Sequence, residues 1–188
     1  ANVTTVFTCG NNKIFTGTTT LVEVTLPVGY TISDNNWKVM SFNNDVYFYQ
    51  KGHQPLESVA GSTTLTGLTA TGSNSAPQGN EVLAAFGMVW TCDLADNKYV
   101  VYWSSLLAGY DWHGRSSGSV DLTTVWPTGF DEVVSLAEHN GFLIIFGKKS
   151  IIIYTGAESP SSDLKLHDTI AGVGWCCRDR VQSIGNDM

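Results

Sequence analysis

Residues 131–156, DEVVSLAEHNGFLIIFGKKSIIIYTG, carry the clearest fold signal in this chain of 188 residues. They predict three strands, at Val133–Ala137, Phe142–Phe146 and Ile151–Tyr154. Asn140-Gly141 is a strong hairpin signal, because a two-residue type I′ turn needs positive φ at both central positions. The second and third strands are unbroken apolar runs, so we expect both of their faces to be covered, as in stacked antiparallel sheets.

The same pattern recurs along the chain. Four valines each open an apolar strand that leads through a turn to a second strand: Val39, Val82, Val133 and Val181. Their intervals of 43, 51 and 48 residues are close to the roughly 40–50 residues of one propeller blade. The sequence therefore predicts an all-β chain made of antiparallel meander blades of a β-propeller. A two-sheet sandwich is the alternative, although sandwiches usually place a turn about every 8–12 residues without this longer rhythm.

The repeat also predicts how the chain is divided. We expect an N-terminal β segment of edge strands or a partial blade at 1–36, blades at 37–80, 81–130 (with a long loop) and 131–178, and the start of a further, truncated blade at 179–188. Closed propellers have about 4–8 blades, so we expect the chain to be an incomplete portion of a longer protein. The other predicted strands are Val3–Cys9, Lys13–Thr16, Thr18–Leu26, Trp37–Phe42, Val46–Gln50, Val82–Phe86, Met88–Cys92 and Tyr99–Trp103.

Two regions lack a regular pattern. Ser58–Gly79 is rich in Gly, Ser, Thr and Ala, and we expect it to be irregular and solvent-facing, with a weak strand at Thr63–Leu68. Leu106–Thr128 is predicted to be a long irregular connection anchored by two tryptophans, Trp112 and Trp126. No segment of the sequence shows a helical period.

Composition limits the function classes. Ten basic against seventeen acidic residues give a net charge of −7, which argues against a surface that grips phosphates, because such surfaces need clustered Lys and Arg. The 43% content of hydrophobic residues excludes general disorder. No apolar run reaches about 18 residues, so no membrane span is predicted, and the N-terminus shows no signal-peptide pattern.

The cysteines do not predict a metal or disulfide site. Cys9, Cys92, Cys176 and Cys177 form no CxxC pair, and the four histidines lie at no zinc-ligand spacing from them. Adjacent residues of a strand point to opposite faces, so Cys176 and Cys177 are poorly placed to bridge each other. We expect free thiols in a protein made in a reducing cytoplasm.

Two short motifs resemble catalytic signatures. Gly114–Gly118 (GRSSG) fits the G-x-S-x-G pattern, but a nucleophile elbow needs a strand before it and a helix after it. The β-prone stretch Val120–Val125 follows instead. Gly147–Ser150 (GKKS) resembles the end of a P-loop, yet the strand FLIIF stands where a glycine-rich cradle is required. We predict that its lysines form a solvated hairpin tip.

Three other polar groups are assigned to the surface. Arg178-Asp179-Arg180 is predicted to be self-compensating in charge, and Asp131-Glu132 is predicted to be a pair of solubilising carboxylates at a strand entrance. Asn2-Val3-Thr4 matches a glycosylation acceptor, which matters only in a secreted protein. We therefore predict no catalytic, cofactor-binding or metal-binding residues.

Four stretches carry a family resemblance. They are YWSSLLAGYDW from Tyr102, GSVDLTTVWP from Gly118, the stretch from Asp131 quoted above, and AGVGWCCRDRVQSIGNDM from Ala171. Together they resemble the tail tubular or nozzle proteins of short-tailed bacteriophages and related tail stabilisation proteins. In that family an aromatic strand leads to a Ser-containing turn, a G-S-x-D-L segment, an apolar hairpin and an "RDxVxxxGxD" blade start. Trp37–Leu56 fits an earlier blade, so the resemblance covers Trp37–Met188.

The resemblance implies a structural role without catalysis or cofactor. It implies a homo-oligomeric ring, generally a hexamer, in a virion tail assembled in the bacterial host cytoplasm. The ring would contact the phage adaptor and tail fibre or spike proteins, seal the genome and conduct double-stranded DNA in transient, non-specific passage. An acidic balance suits that passage, because like charges give the DNA no contacts to break.

Two other classes remain open. A carbohydrate-binding or glycosidase-type β-propeller could stack sugars on some of the six tryptophans and seven tyrosines. However, Trp37, Trp90 and Trp103 occupy strand positions typical of core residues, and a glycosidase needs two carboxylates about 5–10 Å apart, which no spacing nominates. A cytoplasmic adaptor propeller is the third class.

Overall fold

A computed structural model gives the fold and describes residues 5–68, 76–114 and 116–176. Within these ranges the chain forms fifteen β-strands, a 3₁₀ turn at Val59–Gly61 and a single-turn helix, α1, at Pro160–Asp163. The strands are β1 (Phe7–Gly10), β2 (Lys13–Thr16), β3 (Val22–Glu23), β4 (Lys38–Phe42), β5 (Asp45–Tyr49), β6 (Leu56–Ser58), β7 (Thr66–Gly67), β8 (Glu81–Ala85), β9 (Met88–Cys92), β10 (Val100–Trp103), β11 (Gly118–Asp121), β12 (Val133–His139), β13 (Phe142–Gly147), β14 (Ser150–Thr155) and β15 (Lys165–Ala171).

The strands form four antiparallel sheets in which each strand pairs with its neighbours in sequence. Sheet 1 holds β1–β3, and sheets 2, 3 and 4 hold β4–β7, β8–β11 and β12–β15. The first hairpin of each sheet closes with two residues of positive φ, which matches the right-handed twist of the strands. These turns are Asn11-Asn12, Asn43-Asn44, Phe86-Gly87 and Asn140-Gly141. The turn predicted at Asn140-Gly141 is therefore confirmed.

The first strands of sheets 2, 3 and 4 lie side by side. β8 contacts β4 on one side and β12 on the other, so these three strands form the inner edge of the stack. Each sheet then runs outward strand by strand to β7, β11 or β15. None of the helical segments in the described ranges is long and apolar enough to cross a bilayer.

In the described part of the chain, three separate apolar cores fill the spaces between neighbouring sheets. Ile14 and Val24 pack with Phe48 between sheets 1 and 2. Tyr47 and Tyr49, the neighbours of Phe48, point the other way into the core between sheets 2 and 3. Because successive residues of a strand face opposite sides, a strand between two cores is largely apolar, as β5 (DVYFY) and β9 (MVWTC) are. The third core lies between sheets 3 and 4 and contains Met88, Trp90, Cys92, Val101, Trp103, Leu122, Trp126, Val133, Leu136, Leu143, Ile145, Ile152, Tyr154 and Ala157.

The outer strands differ from the sequence prediction. The connection predicted to be irregular at Leu106–Thr128 contains β11, and β15 was not predicted at all. Both strands are largely exposed, so their sequences lack the apolar period that reveals a buried strand. The anchoring tryptophans of that connection, Trp112 and Trp126, are buried as predicted.

Other boundaries need correction. The predicted strand Thr18–Leu26 is reduced to Val22–Glu23, which pairs with β2, and an isolated parallel bridge from Thr25 to Thr64. The short strand β6 consists of three buried residues and is not among the predicted strands. Ser58–Gly79 is not uniformly solvent-facing, because Leu65, Leu68 and Ala76 are buried between sheets. Residues 69–75 of that region, the repeat copy that begins at Val181 and the motifs at Asn2-Val3-Thr4 and Arg178–Arg180 lie outside the described residues.

Candidate functional site

The serine motif at Gly114–Gly118 serves the loop between β10 and β11. Ser116 Oγ accepts a hydrogen bond from the Leu106 amide at 3.0 Å, and the Ser116 carbonyl accepts one from Trp103 Nε1 at 2.8 Å. A loop precedes the motif and β11 begins at its last residue, Gly118, whereas a nucleophile elbow lies between a strand and a helix. Ser116 therefore holds the loop in place.

Asp111 orders the same loop. Its Oδ1 accepts hydrogen bonds from the backbone amides of His113 at 3.0 Å and Gly114 at 2.9 Å. The His113 bond, helped by the Gly114 bond, lowers the pKa of Asp111, while partial burial opposes the shift. His113 contributes its main chain here, so the contacts among Ser105, Asp111 and His113 are not those of a catalytic triad.

The folded loop presents apolar side chains to water. Leu106, Leu107 and Tyr110 are 53%, 62% and 56% exposed, and we call them the loop patch. Leu107 is held from both sides, because its amide donates to the Gly87 carbonyl at 2.8 Å and its carbonyl accepts from Asn43 Nδ2 at 2.7 Å. The patch therefore lies on a fixed backbone beside the first hairpins of sheets 2 and 3.

The carboxylate predicted to solubilise the strand entrance at Asp131 is buried instead. It accepts amide hydrogen bonds from Glu132 at 2.8 Å, Lys148 at 3.0 Å and Lys149 at 2.8 Å. The amides of the GKKS turn thus bind a carboxylate of the protein rather than a phosphate. The turn is the predicted solvated hairpin tip: it has two residues, Lys148 and Lys149, and both are exposed.

Ion pairs connect neighbouring sheets at the inner end, which is the end of the stack where the inner-edge strands β4, β8 and β12 begin. Lys38 Nζ of sheet 2 lies 3.3 Å from Glu81 Oε2 of sheet 3. On the same end, Lys51 Nζ lies 2.6 Å from Asp93 Oδ1. Asn80 Nδ2 donates to the other oxygen of Asp93 at 2.8 Å. The inner ends of sheets 2 and 3 are therefore joined by charge as well as by apolar packing.

Glu132 makes the corresponding contacts between sheets 3 and 4. Its Oε2 lies 2.7 Å from Lys148 Nζ and 3.2 Å from Lys98 Nζ. The Lys148 hydrogen bond is the main cause that lowers the pKa of Glu132, with Lys98 adding to it. The same bond raises the pKa of Lys148. These groups line a groove of about 400 Å³. The other lining residues are Asn36, Lys51, Asn80, Asp93, Val133, Val134 and Cys176.

Sheet 4 has one covered face and one open face. Leu143, Ile145 and Ile152 are completely buried against sheet 3. The alternate residues of the same strands form the open face: Phe142, Ile144, Phe146, Ile151 and Ile153. All but Phe146 are only partly buried. Both faces of these strands are apolar, as their unbroken runs predict, and among the described residues the second face is partly covered.

A second and larger groove lies between sheets 2 and 3, near the outer strands. Its volume is about 740 Å³. Sheet 3 and its loops supply most of the lining, and the rest comes from the connection before β8 and from Gly52, which lies between β5 and β6 of sheet 2. The lining residues are Gly52, Ala76, Pro77, Gln78, Leu94, Ala95, Asp96, Tyr102, Trp112, His113, Gly118 and Ser119.

Two cysteines, Cys9 and Cys92, have thiols whose pKa is raised by burial. Burial raises the pKa of the half-buried Cys9 thiol to about 11 and raises that of the fully buried Cys92 well above its usual value. Neither thiol is in a disulfide. In the same ranges, no group of three or more His, Cys, Asp or Glu side chains is arranged to hold a metal ion.

No known protein family and no curated protein matches this sequence. Among solved structures, the chain is similar to YCF48 bound to D1 peptide, with a TM-score of 0.54 and 9% identity over 86% of this chain. The chain spans about half, 49%, of the length of that structure. At this identity the likeness shows the fold alone: the chain is an all-β protein whose antiparallel sheets are blades of a β-propeller.

Proposed function

We propose that this chain is part of a structural subunit of a bacteriophage tail, of the nozzle or tail-tube type. In this role it forms a homo-oligomeric ring, a hexamer by family resemblance, below the adaptor proteins. The ring supports tail fibres or spikes, seals the packaged genome and conducts the DNA during ejection. The protein acts through its contacts with other proteins and has no substrate.

The observation that carries the proposal is the loop patch. Large apolar side chains grouped on a surface mark protein contacts more often than single exposed ones do. Leu106, Leu107 and Tyr110 belong to the stretch YWSSLLAGYDW, one of those that resemble the phage family. The resemblance and the exposed apolar surface thus coincide in one rigid loop, which supports a role in assembly.

The other family-like stretches fall at structural positions that suit blades. GSVDLTTVWP begins with the outer strand β11 and ends near the buried Trp126. The stretch from Asp131 contains the buried carboxylate and the strands β12, β13 and β14. These residues build the third core and its ion pairs, so the resemblance rests on residues that stabilise the blades.

The charge balance supports passage of DNA without retention. Three lysines near the inner end, Lys51, Lys98 and Lys148, are each within 3.2 Å of a carboxylate. Paired lysines offer less to a phosphate backbone than free ones, because binding depends on neutralising phosphates with unpaired cations. The net charge of −7 also disfavours retention of the DNA, because it repels the phosphate backbone.

A genetic test addresses the role directly. In the phage that encodes this protein, removing its gene should give particles that package DNA but lose it, or that fail to infect. A plasmid copy with Val28→Ser, which alters a single exposed valine, should restore infection. A copy with Leu107→Ser and Tyr110→Ser should fail to do so. Particles without the gene that retain DNA and infect normally would refute the proposal.

A further inference from the structure

The outer strands of sheets 2, 3 and 4 differ in length. β7 has two residues and β11 has four, whereas β15 has seven. β15 is the last strand of its sheet, and its backbone hydrogen-bonds to no described strand except β14. Short outer strands are one way in which proteins avoid edge-to-edge pairing with other chains. The length of β15 gives it no such protection.

A register shift interrupts the first half of β15. Ile153 and Tyr154 of β14 pair with Asp168 and Leu166, so His167 between them is skipped. Such an irregularity twists an edge and disfavours pairing there. The four residues at positions 168–171 pair with β14 in a regular register. They form the part of the edge to which another strand could be added.

Thr169 directs its backbone N–H and C=O away from β14. Every second residue of an antiparallel ladder does so. Counting from the two-residue turn Asn140-Gly141 through β13 and β14 gives this direction to Thr169 and Ala171. The Thr169 amide donates to Oδ1 of Asp168 at 2.7 Å. The central donor of the regular edge is therefore occupied by the neighbouring carboxylate.

A second β15 is the strand that matches this edge. In antiparallel pairing about a two-fold axis, the outward groups of Thr169 and Ala171 meet those of the other copy, as the ladder requires. The axis can pass through Thr169 or through Ile170, which is 42% exposed and would face its own counterpart. Both arrangements need the Thr169 N–H as a donor. An axis through Asp168 would set two carboxylates directly opposite each other, which is destabilising.

We propose that Asp168 is an edge guard: its carboxylate keeps β15 of one copy from adding to β15 of a second copy. Strand addition gains its affinity from main-chain hydrogen bonds, and the carboxylate occupies the central donor. It also places a negative charge on each of the two edges that would meet. The guard goes beyond the proposed tail role and does not rest on it.

A strand-addition assay with the 188-residue chain tests the guard. The chain is immobilised for surface plasmon resonance, which keeps copies apart so that association between open faces does not contribute. The probe is a peptide of residues 163–173 that carries Asp168→Ala, so that the protein alone supplies a guard. The Asp168→Ala protein should bind this peptide about 10-fold or more tightly than the original chain does, a difference of about 1.4 kcal/mol. Asp168→Asn removes the charge but keeps one acceptor oxygen, so its affinity should lie between the two.

Two controls separate the guard from general effects of charge and apolar contact. Glu158→Ala removes another exposed carboxylate and should bind the peptide as the original chain does. A second peptide, N-methylated at the Thr169 amide, lacks the central donor and should lose most of the gain. Asp168 is exposed, so its substitution should leave the melting temperature unchanged. If Asp168→Ala fails to fold, Asp168→Asn decides the question, with an expected gain of about 3-fold.

Three results would overturn the proposal. One is that neither Asp168 variant binds the peptide at concentrations up to about 1 mM. Another is that both variants bind it no more tightly than the original chain or Glu158→Ala. The third is that the N-methylated peptide binds as tightly as the unmethylated one. A gain in affinity that is confined to the Asp168 variants and lost on methylation would support it.

Discussion

The indole ring of Trp175 packs against the phenyl ring of Phe146, with ring centroids 5.2 Å apart and planes inclined at 43°. Phe146 belongs to the open face of sheet 4, and Trp175 follows the outer strand β15. The Trp175 amide also donates to the Gly147 carbonyl at 2.8 Å, so residues 172–176 lead the chain from the outer strand back toward the inner end. They cover Phe146 and leave Ile144, Ile151 and Ile153 half-buried.

The open face should make the isolated chain self-associate. Ile144 and Ile153 are cross-strand partners on this face, and an apolar sheet face that is only partly covered favours association. We expect the 188-residue chain to sediment as a mixture of oligomers, and the double variant Ile144→Thr, Ile153→Thr to shift it toward monomer. Sedimentation velocity measures both.

The control for the open face lies on the opposite side of the same strand. Ile152 is fully buried, so Ile152→Thr should lower the free energy of unfolding by about 2 kcal/mol without relieving self-association. If the original chain is monomeric at all concentrations, or if the double variant associates as strongly, this interpretation of the open face is wrong.

The core between sheets 3 and 4 should not tolerate a charge. Ile145 is fully buried, so Ile145→Asp places a carboxylate among apolar side chains and should cost about 4 kcal/mol or more, enough to prevent folding. Lys149→Gln, at the exposed hairpin tip of the same sheet, should change stability by less than about 0.5 kcal/mol. Urea denaturation followed by circular dichroism compares the two, and equal midpoints would contradict the burial of β13.

Asp131 should be a stabilising residue rather than a solubilising one. Asn keeps one acceptor oxygen but directs an amide toward backbone N–H groups, so Asp131→Asn should cost about 1–3 kcal/mol. Glu158→Gln removes an exposed carboxylate and should be neutral within about 0.5 kcal/mol. Thermal unfolding at matched protein concentration measures both changes. A neutral Asp131→Asn would show that the three amide contacts do not stabilise the turn.

The Glu132 contacts predict a dependence on acid. The folded-state pKa of Glu132 is lowered, so its contribution is present above the unfolded pKa of about 4.3 and is lost as pH falls through the lower folded value. Glu132→Gln should therefore lose less stability than the original chain between about pH 5 and pH 3. In about 1 M salt the difference between the two chains should shrink, because salt screens the Glu132 ion pairs. If stability depends on pH identically in the variant and the original chain, Glu132 does not contribute to the acid dependence.

The strands that carry two apolar faces could be predicted from sequence, and the exposed ones could not. β13 and β14 differ from their predicted bounds by one residue at most at each end, because their apolar runs and the Asn140-Gly141 turn leave few alternatives. β15 is exposed along nearly all of its length, so nothing in its sequence separates it from a loop. Its backbone pairing with β14 is what defines it as a strand.

The polar sites depend on contacts between distant residues. Asp131 and Glu132 are chemically similar neighbours, and only the return of the chain 17 and 18 residues later brings the amides of Lys148 and Lys149 to Asp131. The larger groove draws Gln78, Asp96 and Trp112 from three separate connections. Sequence spacing cannot reveal that these three residues line one groove.

The most direct measurement of the central claim is electron microscopy of the intact protein that contains this chain, both purified and in virions. The proposal predicts closed rings, sixfold by the family resemblance, with sheets 2, 3 and 4 as consecutive blades in each subunit and the loop patch at a protein contact. The same rings should appear at the tail below the adaptor. A protein that remains monomeric and is absent from the tails of virions would contradict the proposed role.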